Sequence, residues 1–540
     1  MPYEDPTDPS EPTDPSEPTE PAEPTEPAEP AEPAEPQVRV RPDVWGLDEW
    51  DDTLLWYARA IAAMQQRPIA DPTSWRFQAA IHAYDRSRDP YAEPGDQLPS
   101  NGDQQRFWNQ CQHGTWYFLP WHRMYLGYFE QIVAAAVEEL GGPAGWSLPY
   151  WNYSDESNPD ARRIPPAFRA PTLPDGSPNP LRVGDRVPAA NSGGIVASDD
   201  EVDISDCLDE TVFIGTAFGG TSGFGGPQTA FNHGGGAPGK LEMTPHGDVH
   251  VAVGGSFPLP AGFMSRFNTA GLDPLFWLHH ANIDRLWTVW KKRRPGNLDP
   301  TQSEWLDEPQ FELHDGSGSV VTLTSAPMAD SETSPFGYRY EDESDPLAPA
   351  VDEGLAAVAA AAGEEGAMAT EPAVPAEMVG ATEERTVLRG QAVTRRVEMQ
   401  PAAGPAAAAL ADGPEAEAQR IHLSIENVTG LEPMPHLVYV NLPEGADPAQ
   451  HPERLAGSLS MFGLAEASGE DAGHPGSGLQ YSLDITGVVE RLGEDWSPDE
   501  LRVTLVPKRV AGQELSVAAA AADAVPPAIE IGRIGVYRGR

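Results

Sequence analysis

The sequence has little cysteine and little positive charge. It contains two cysteines in 540 residues, too few for a disulfide scaffold. Lysine and arginine number 35 against 83 aspartates and glutamates, which gives a net charge of −48. Nucleic acids and anionic membrane surfaces are therefore poor partners for this chain. It also lacks an apolar run of about 18 residues, so the sequence predicts no transmembrane helix.

The N-terminus lacks the features of a secretion signal. Its first residues, MPYEDPTDPS, contain neither a positively charged segment nor an apolar stretch. We therefore expect a cytoplasmic protein, or one exported without a visible signal peptide, for instance with a partner. Residues 1–37 are acidic and rich in proline at the three-residue period of polyproline II. We interpret this tail as disordered or semi-rigid, either a solubilising spacer or a docking arm.

Four histidines cluster in one stretch of the chain. His246 and His250 are four residues apart in PHGDVH, and His279 and His280 follow in FWLHHANIDRLW. Helical positions i and i+4 share a face, so two imidazoles can reach one metal ion and a third can join them from the next helix. Imidazole suits copper, zinc, iron and nickel, so the spacing does not name the metal. The match to a zinc-protease motif is weak, because Gly247 stands where HExxH requires glutamate.

A second histidine cluster lies upstream. His82 occurs in WRFQAAIHAYD, and His113 and His122 occur in CQHGTWYFLPWHRMYLGYFE. Two sets of three histidines are the ligand set of a binuclear copper site. Together with DPLFWLHHANIDRLW, these motifs resemble the type 3 copper family of tyrosinases, catechol oxidases and hemocyanins over residues 77–340.

The resemblance implies two copper ions, with O2 as co-substrate. In this family the second histidine of the His279–His280 pair binds copper. The resemblance therefore makes His280 a ligand and places His279 beside the ligands. The implied ligands are, for the first copper, His82, His113 and His122 and, for the second, His246, His250 and His280.

The resemblance also assigns a role to Cys111. A Cys-x-His sequence at this position is similar to fungal tyrosinases and molluscan hemocyanins, in which the sulfur is bonded to the imidazole. It therefore implies a thioether between Cys111 and His113. Plant enzymes place that cysteine where this chain has Arg86. The alternatives are an ordinary buried cysteine or a disulfide with Cys207.

The second copper region is closer to the plant enzymes. There Phe267 matches the phenylalanine that gates the substrate entrance in those enzymes, or alternatively it is an ordinary core residue. Glu242 matches the family's water-holding glutamate, or alternatively it is a solvated acid at the start of a helix. Gly247 replaces the asparagine that, in tyrosinases, is proposed to hold the same water. Asp273 and Asp284 are candidates for fixing imidazole tautomers, or alternatively for helix caps and salt bridges.

The sequence predicts a mainly α core, a four-helix bundle with a loop-rich periphery, followed by an all-β sandwich-like domain. The dicopper domain covers residues 38–340 and ends at a tyrosine motif. An Ala/Glu/Pro linker follows over 341–382, and the β-domain covers 383–540 with a disordered loop at 401–418. This β-domain resembles the shielding domain of plant polyphenol oxidases.

The predicted function is that of a polyphenol oxidase converting catechols to o-quinones, with weaker hydroxylation of monophenols. We expect a latent pro-form in which an apolar side chain from residues 458–462 enters the copper site. The alternatives are an o-aminophenol oxidase and a hemocyanin-like O2 carrier. Small phenols are the expected partners and a copper chaperone is left open, whereas the natural substrate and oligomeric state are not predicted.

Overall fold

A computed structural model describes most of the chain. It covers residues 38–348, 376–399, 420–471, 474–493, 496, 501–513 and 525–539. The acidic tail, most of the predicted linker and the predicted disordered loop lie outside the described residues. Over the described ranges, none of the helices has both the length and the apolar character needed to cross a membrane.

The first part of the chain is mainly helical. Three of its helices begin after a side chain that accepts a hydrogen bond from the first turn: Asp51 before Asp52–Gln66, Ser74 before Trp75–His82 and Asp273 before Pro274–Arg293. The helices are α1 Asp52–Gln66, α2 Trp75–His82, α3 Asn101–Phe107, α4 Phe118–Glu139, α5 Pro188–Ser192, α6 Ser205–Asp209, α7 Asp248–Gly254, α8 Phe267–Ala270, α9 Pro274–Arg293, α10 Ser303–Leu306, α11 Leu464–Ser468 and α12 Thr486–Leu492.

The helical core is packed around α4 and α9. Helix α4 contacts both α1 and α9, and α1 also contacts α2. Aromatic side chains fill the space between them; the rings of Phe129 and Trp277 stack at 3.4 Å between centroids. Helices α2, α4, α7 and α9 carry five of the seven histidines of the sequence motifs, and His113 and His246 lie on the segments that lead into α4 and α7. The predicted helical core around the histidine motifs is confirmed.

The tyrosine motif, GYRY at residues 337–340, closes this core as strand β6 (Tyr338–Tyr340). It pairs in parallel with β1 (Arg39–Arg41), which follows the acidic tail in the sequence. Arg41 of β1 is fully buried, and its guanidinium donates to the carboxylate of Glu130 and the hydroxyl of Tyr340. A buried charge of this kind is stable only when it is paired. The N-terminal strand and the end of the domain are thus fixed to α4 together.

The last part of the chain forms two antiparallel sheets with a hydrophobic core of their own. One has the order β10-β7-β18-β11-β16, with β8 also on β18, and the other the order β13-β12-β17-β9. The strands are β1 Arg39–Arg41, β2 Ile214–Gly215, β3 Gly226–Pro227, β4 Phe311–His314, β5 Val320–Leu323, β6 Tyr338–Tyr340, β7 Glu377–Ala381, β8 Thr386–Leu388, β9 Val393–Arg396, β10 Glu398–Met399, β11 Arg420–Thr429, β12 His436–Val440, β13 Leu455–Leu459, β14 Glu470–Asp471, β15 His474–Pro475, β16 Leu479–Asp484, β17 Arg502–Pro507 and β18 Ile529–Gly539.

This arrangement confirms the predicted C-terminal β-domain and corrects its boundary. Strand β7 pairs with β18 and β10, although its residues fall inside the predicted linker 341–382. Alanine and glutamate around β7 matched the linker composition, whereas its place in the sheet depends on pairing with the end of the chain. The β-domain therefore begins at Glu377.

The two domains exchange side chains across their contact. Phe462 of the β-domain packs in the core of the helical domain, and Met243 of the helical domain packs in the β-domain core. The Arg266 guanidinium donates to both carboxylate oxygens of Glu432, at 3.0 and 2.9 Å. These contacts place the β-domain directly over the end of the bundle that carries the histidines.

Candidate metal centre

Seven buried histidines of the described chain form two groups at this end of the bundle. Within each group the nearest nitrogens all lie within 4.8 Å of one another. The groups also touch, since the rings of His122 and His280 stack with 4.4 Å between centroids. One group contains His82, His113 and His122, and the other contains His246, His250, His279 and His280.

The elements of the bundle explain this convergence. His82 is the last residue of α2, His122 lies in the first turns of α4, and His113 lies in the loop before α4. His246 ends a wide turn over Glu242–Gly247 that leads into α7. The sequence spacing of four residues therefore brings its ring to 4.7 Å from the ring of His250, as expected for neighbours on one face.

Backbone carbonyls hold most of these rings in one orientation. The Nδ1 atoms of His82, His122, His246 and His250 lie 2.7–3.0 Å from main-chain oxygens of Phe267, Phe118, Glu242 and Met264. An Nδ1 proton donated to each carbonyl leaves the Nε2 lone pair facing the centre of its group.

The free nitrogens fit a metal ion. Within the described chain, the buried Nε2 atoms of His82, His122 and His246 have no hydrogen-bond partner. A buried polar atom left unpaired costs about 1–3 kcal/mol, and coordination to a metal removes this cost. Burial also lowers the pKa of His82 and His246 to about 3, so both are neutral at physiological pH. Neutral imidazole is the form that binds metal, and the two groups fit two copper ions.

The structure corrects the role predicted for the two aspartates. The carboxylate of Asp284 accepts hydrogen bonds from Arg123, Tyr338 and Tyr340. Asp273 caps α9 and forms an ion pair with Arg186. They serve as a salt-bridge partner and a helix cap, the alternatives left open by the sequence, and main-chain carbonyls orient the imidazoles instead.

Glu242 lies at the wall of the metal centre. Its carboxylate is buried and accepts the main-chain N–H of Gly114, the residue after His113, at 2.9 and 3.0 Å. Burial raises the pKa of Glu242 to about 8, against the opposing effect of hydrogen bonds from the Gly114 and Gly239 N–H groups. A carboxyl with such a pKa can exchange a proton near neutral pH.

A small cavity beside the histidines is covered by the β-domain. Its volume of about 30 Å³ leaves room for roughly one water molecule. The Phe462 ring stacks on His250 with 3.9 Å between centroids and an interplanar angle of 11°. Phe267 lies next to it at 4.7 Å and stacks on His113 at 4.2 Å. Ser460 and Tyr481 of the β-domain complete the lining.

The two cysteines are not joined to each other. Both are buried free thiols. The Cys207 thiol donates to the carbonyl of Ile204 at 3.2 Å, whereas Cys111 Sγ lies 3.0 Å from Nδ1 of His233. The alternative disulfide is therefore wrong. No sequence motif connects His233 with Cys111, because 122 residues separate them.

Comparison with known proteins agrees with these features. The family model described as the common central domain of tyrosinase matches residues 72–293, and a domain of unknown function (DUF7868) matches residues 375–539. Tyrosinase HcTyr1 of Hahella sp. (strain CCB-MM4) is 36% identical over 496 residues, covering 87% of this chain and 96% of that protein. The latent polyphenol oxidase of Prunus armeniaca is 31% identical over 314 residues, 55% of this chain and 47% of that protein.

Solved structures share the two-domain fold. Latent apple tyrosinase has a TM-score of 0.57 at 24% identity and covers 94% of this chain and 98% of its own. Recombinant latent aurone synthase has a TM-score of 0.59 at 21% identity, covering 94% of this chain and 90% of its own. The near full-length relationship to the Hahella protein decides the family: the chain is a copper-dependent phenol oxidase of the type 3 copper family of tyrosinases and polyphenol oxidases.

Proposed function

We propose that this protein is a latent polyphenol oxidase that uses O2 to convert catechols to o-quinones, with weaker hydroxylation of monophenols. The observation that carries the proposal is the aromatic ring of Phe462 stacked on His250, where it fills the space next to both histidine groups. An aromatic side chain stacks there, so a planar phenol of similar size fits once the β-domain leaves.

We assign three histidines to each copper ion. For the second copper we choose His280 over its neighbour because His280 Nε2 and His250 Nε2 lie 3.3 Å apart and face one centre. His279 stacks on His246 at 5.4 Å and supports that ring from behind. The assigned ligands are His82, His113 and His122 for the first copper and His246, His250 and His280 for the second.

Copper supplies the electron transfer and the activation of O2 when it is bound. The chain supplies an enclosed cavity, the entrance beside Phe267 and a place for the phenolic proton. Glu242 faces the cavity and is held in place by the Gly114 N–H. Gly247 faces it as well, but without a side chain it cannot hold the second hydrogen bond of a water on Glu242. Monophenols, which must first lose a proton, are therefore the poorer substrates.

Gly247→Asn is expected to raise monophenol hydroxylation relative to catechol oxidation. General base catalysis contributes about 10²–10⁴-fold, so a better-held water changes this ratio measurably. A Cβ at position 247 would lie 2.7 Å from Ser460 Oγ, so both activities should be measured after the β-domain is removed. The assay compares initial rates and lag times on tyramine and dopamine.

Gly247→Ala is the matched control, because it adds the same Cβ without the amide. It should leave the ratio of the two rates unchanged. Oxidation of tyramine by the wild type as fast as dopamine, with no lag, would contradict this interpretation of Gly247.

The proposed function is tested by oxygen uptake with a panel of phenols, using protein cleaved in the linker and freed from its β-domain. We expect the fastest uptake with catechols. Faster oxidation of o-aminophenols would instead establish an o-aminophenol oxidase. Reversible O2 binding without turnover of any phenol would establish an O2 carrier.

We also propose that Cys111 is joined to His113 by a thioether in the copper-loaded enzyme. Forming this C–S bond removes the thiol proton, one ring C–H proton and two electrons, which O2, the co-substrate of the proposed reaction, would accept. The thiol is buried and is not part of a disulfide, so it is available for this bond. After denaturation with strong reductant, Cys111 is expected to resist thiol labelling. Cys207 is the internal control, because it is also buried and free and should be labelled in full. A labelled peptide containing Cys111 would reject the thioether.

A further inference from the structure

His113 differs from the other proposed ligands in how it is held. It lies in a loop, whereas the others lie on helices or on the turn leading into α7. Among the described residues, neither of its ring nitrogens has a hydrogen-bond partner, whereas carbonyls fix the Nδ1 atoms of four other ligands. Apart from its stacking on Phe267 and the proposed thioether, the position of this ring therefore depends on how its backbone is fixed.

Asn232 fixes that backbone from the opposite side. Its carbonyl accepts the N–H of His113 at 3.2 Å, and its side-chain amide donates to the carbonyl of His113 at 3.0 Å. The same amide donates to Gly235, at 2.9 Å, and the Asn232 N–H donates to the side chain of Gln112 at 3.1 Å. Both main-chain polar groups of the ligand are thus held by one residue.

The surrounding loop leaves little room for movement. Gly114 has a φ of +64°, and a Cβ added there would lie 2.1 Å from the carbonyl oxygen of Gly235. Next to Asn232, His233 Nδ1 lies 3.1 Å from the carbonyl of Cys111. The segments 111–114 and 232–235 are therefore packed against each other over their whole length.

The β-domain holds the far side of the same loop. Gly236 donates its N–H to the carbonyl of Gly478 at 3.3 Å and accepts the N–H of Gln480 at 2.9 Å. This pairing forms a single bridge between Gly236 and Leu479 at the edge of β16. The loop that fixes His113 is consequently clamped between the copper site and the β-domain.

We propose that Asn232 is the positioning residue of the first copper site. It holds the loop-borne ligand His113 in its metal-binding orientation, and the β-domain reinforces this clamp through Gly236. The inference rests on the proposed assignment of His113 as a ligand. Residues that orient metal ligands typically change metal affinity by about 10–100-fold when replaced.

The test measures copper retention by the full-length, copper-loaded protein during exposure to a chelator. Asn232→Ala is expected to lose one of its two copper ions about 10–100-fold faster than the wild type, while the other is retained. Asn232→Asp keeps the size of the side chain but removes the donor to His113, and should lose copper in the same way. It provides the measurement if Asn232→Ala fails to fold.

Asn179→Ala is the matched control. Asn179 is a buried asparagine whose amide also donates to two main-chain carbonyls, those of Ala167 and Ala170, in another loop. Its removal should lower stability but leave both copper ions bound. If Asn232 had only a structural role, Asn232→Ala would likewise lower stability and leave both copper ions bound.

Three further variants identify the copper that is lost. His250→Ala should keep only the first copper, and adding Asn232→Ala to it should give a protein that loses this last copper quickly. His113→Ala should bind one copper. If His113→Ala binds two, the ligand assignment is wrong. If it binds one while Asn232→Ala and Asn232→Asp retain both at the wild-type rate, the assignment stands and the role of Asn232 is rejected.

Discussion

A His250→Ala variant is expected to retain about one copper ion per chain and to lose measurable oxidation of catechol. His250 faces His280 with 3.3 Å between Nε2 atoms, so its removal leaves the second copper with two imidazoles. Both metal ions are needed when two electrons pass between the substrate and O2. Atomic absorption gives the copper content, and oxygen uptake gives the activity of the protein freed from its β-domain.

His314→Ala is the matched control for this variant. His314 is also a buried histidine of the helical domain, but its ring packs on Phe107 at 4.3 Å and lies outside both histidine groups. It should keep two copper ions. His279→Ala should keep two as well, because we place His279 behind the ligands. Full copper content in His250→Ala would refute the assignment of the second site.

Truncation of Phe462 to alanine is expected to raise catechol turnover by the full-length protein at least about tenfold. The ring fills the cavity and stacks on His250. Moving the β-domain away from the copper site therefore costs the packing of this ring. Removing a buried phenylalanine costs about 3–5 kcal/mol of packing, and only part of this is needed to shift the balance tenfold. The measurement is the initial rate of dopamine oxidation before and after linker cleavage.

The control for Phe462 is Leu388→Ala. Leu388 is fully buried in the core of the β-domain and belongs to a different hydrophobic cluster from Phe462. Its truncation should lower the stability of the β-domain while leaving Phe462 in the cavity. Equal activation by both variants would show that general loosening of the β-domain, and not the phenylalanine ring, controls access.

Cleavage before strand β7, within 342–376, should activate the enzyme fully only after the β-domain is separated. The Arg266–Glu432 ion pair holds the domains together independently of the linker, as does the pairing of Gly236 with the edge of β16. Cleaved protein should therefore be passed through a separation step before its activity is measured. Unchanged turnover after clean removal of the β-domain would show that it is not an inhibitor.

The sequence by itself predicted the two histidine groups and most of the helices that carry them. The four-residue spacing of His246 and His250 and the flanking motifs are local features, and a helix converts such spacing directly into neighbouring side chains. The alternating pattern after residue 386 likewise identified a β-domain, because the period of two is a property of each strand alone.

Only the tertiary structure decided which distant residues complete the site. Asp284 pairs with Arg123 and two tyrosines, Phe462 enters from the other domain, and Asn232 clamps His113 across a gap of 119 residues. No local pattern encodes these contacts, because they depend on how separately folded elements pack. The sequence limited the covering side chain to residues 458–462, and the packing of the two domains selected Phe462.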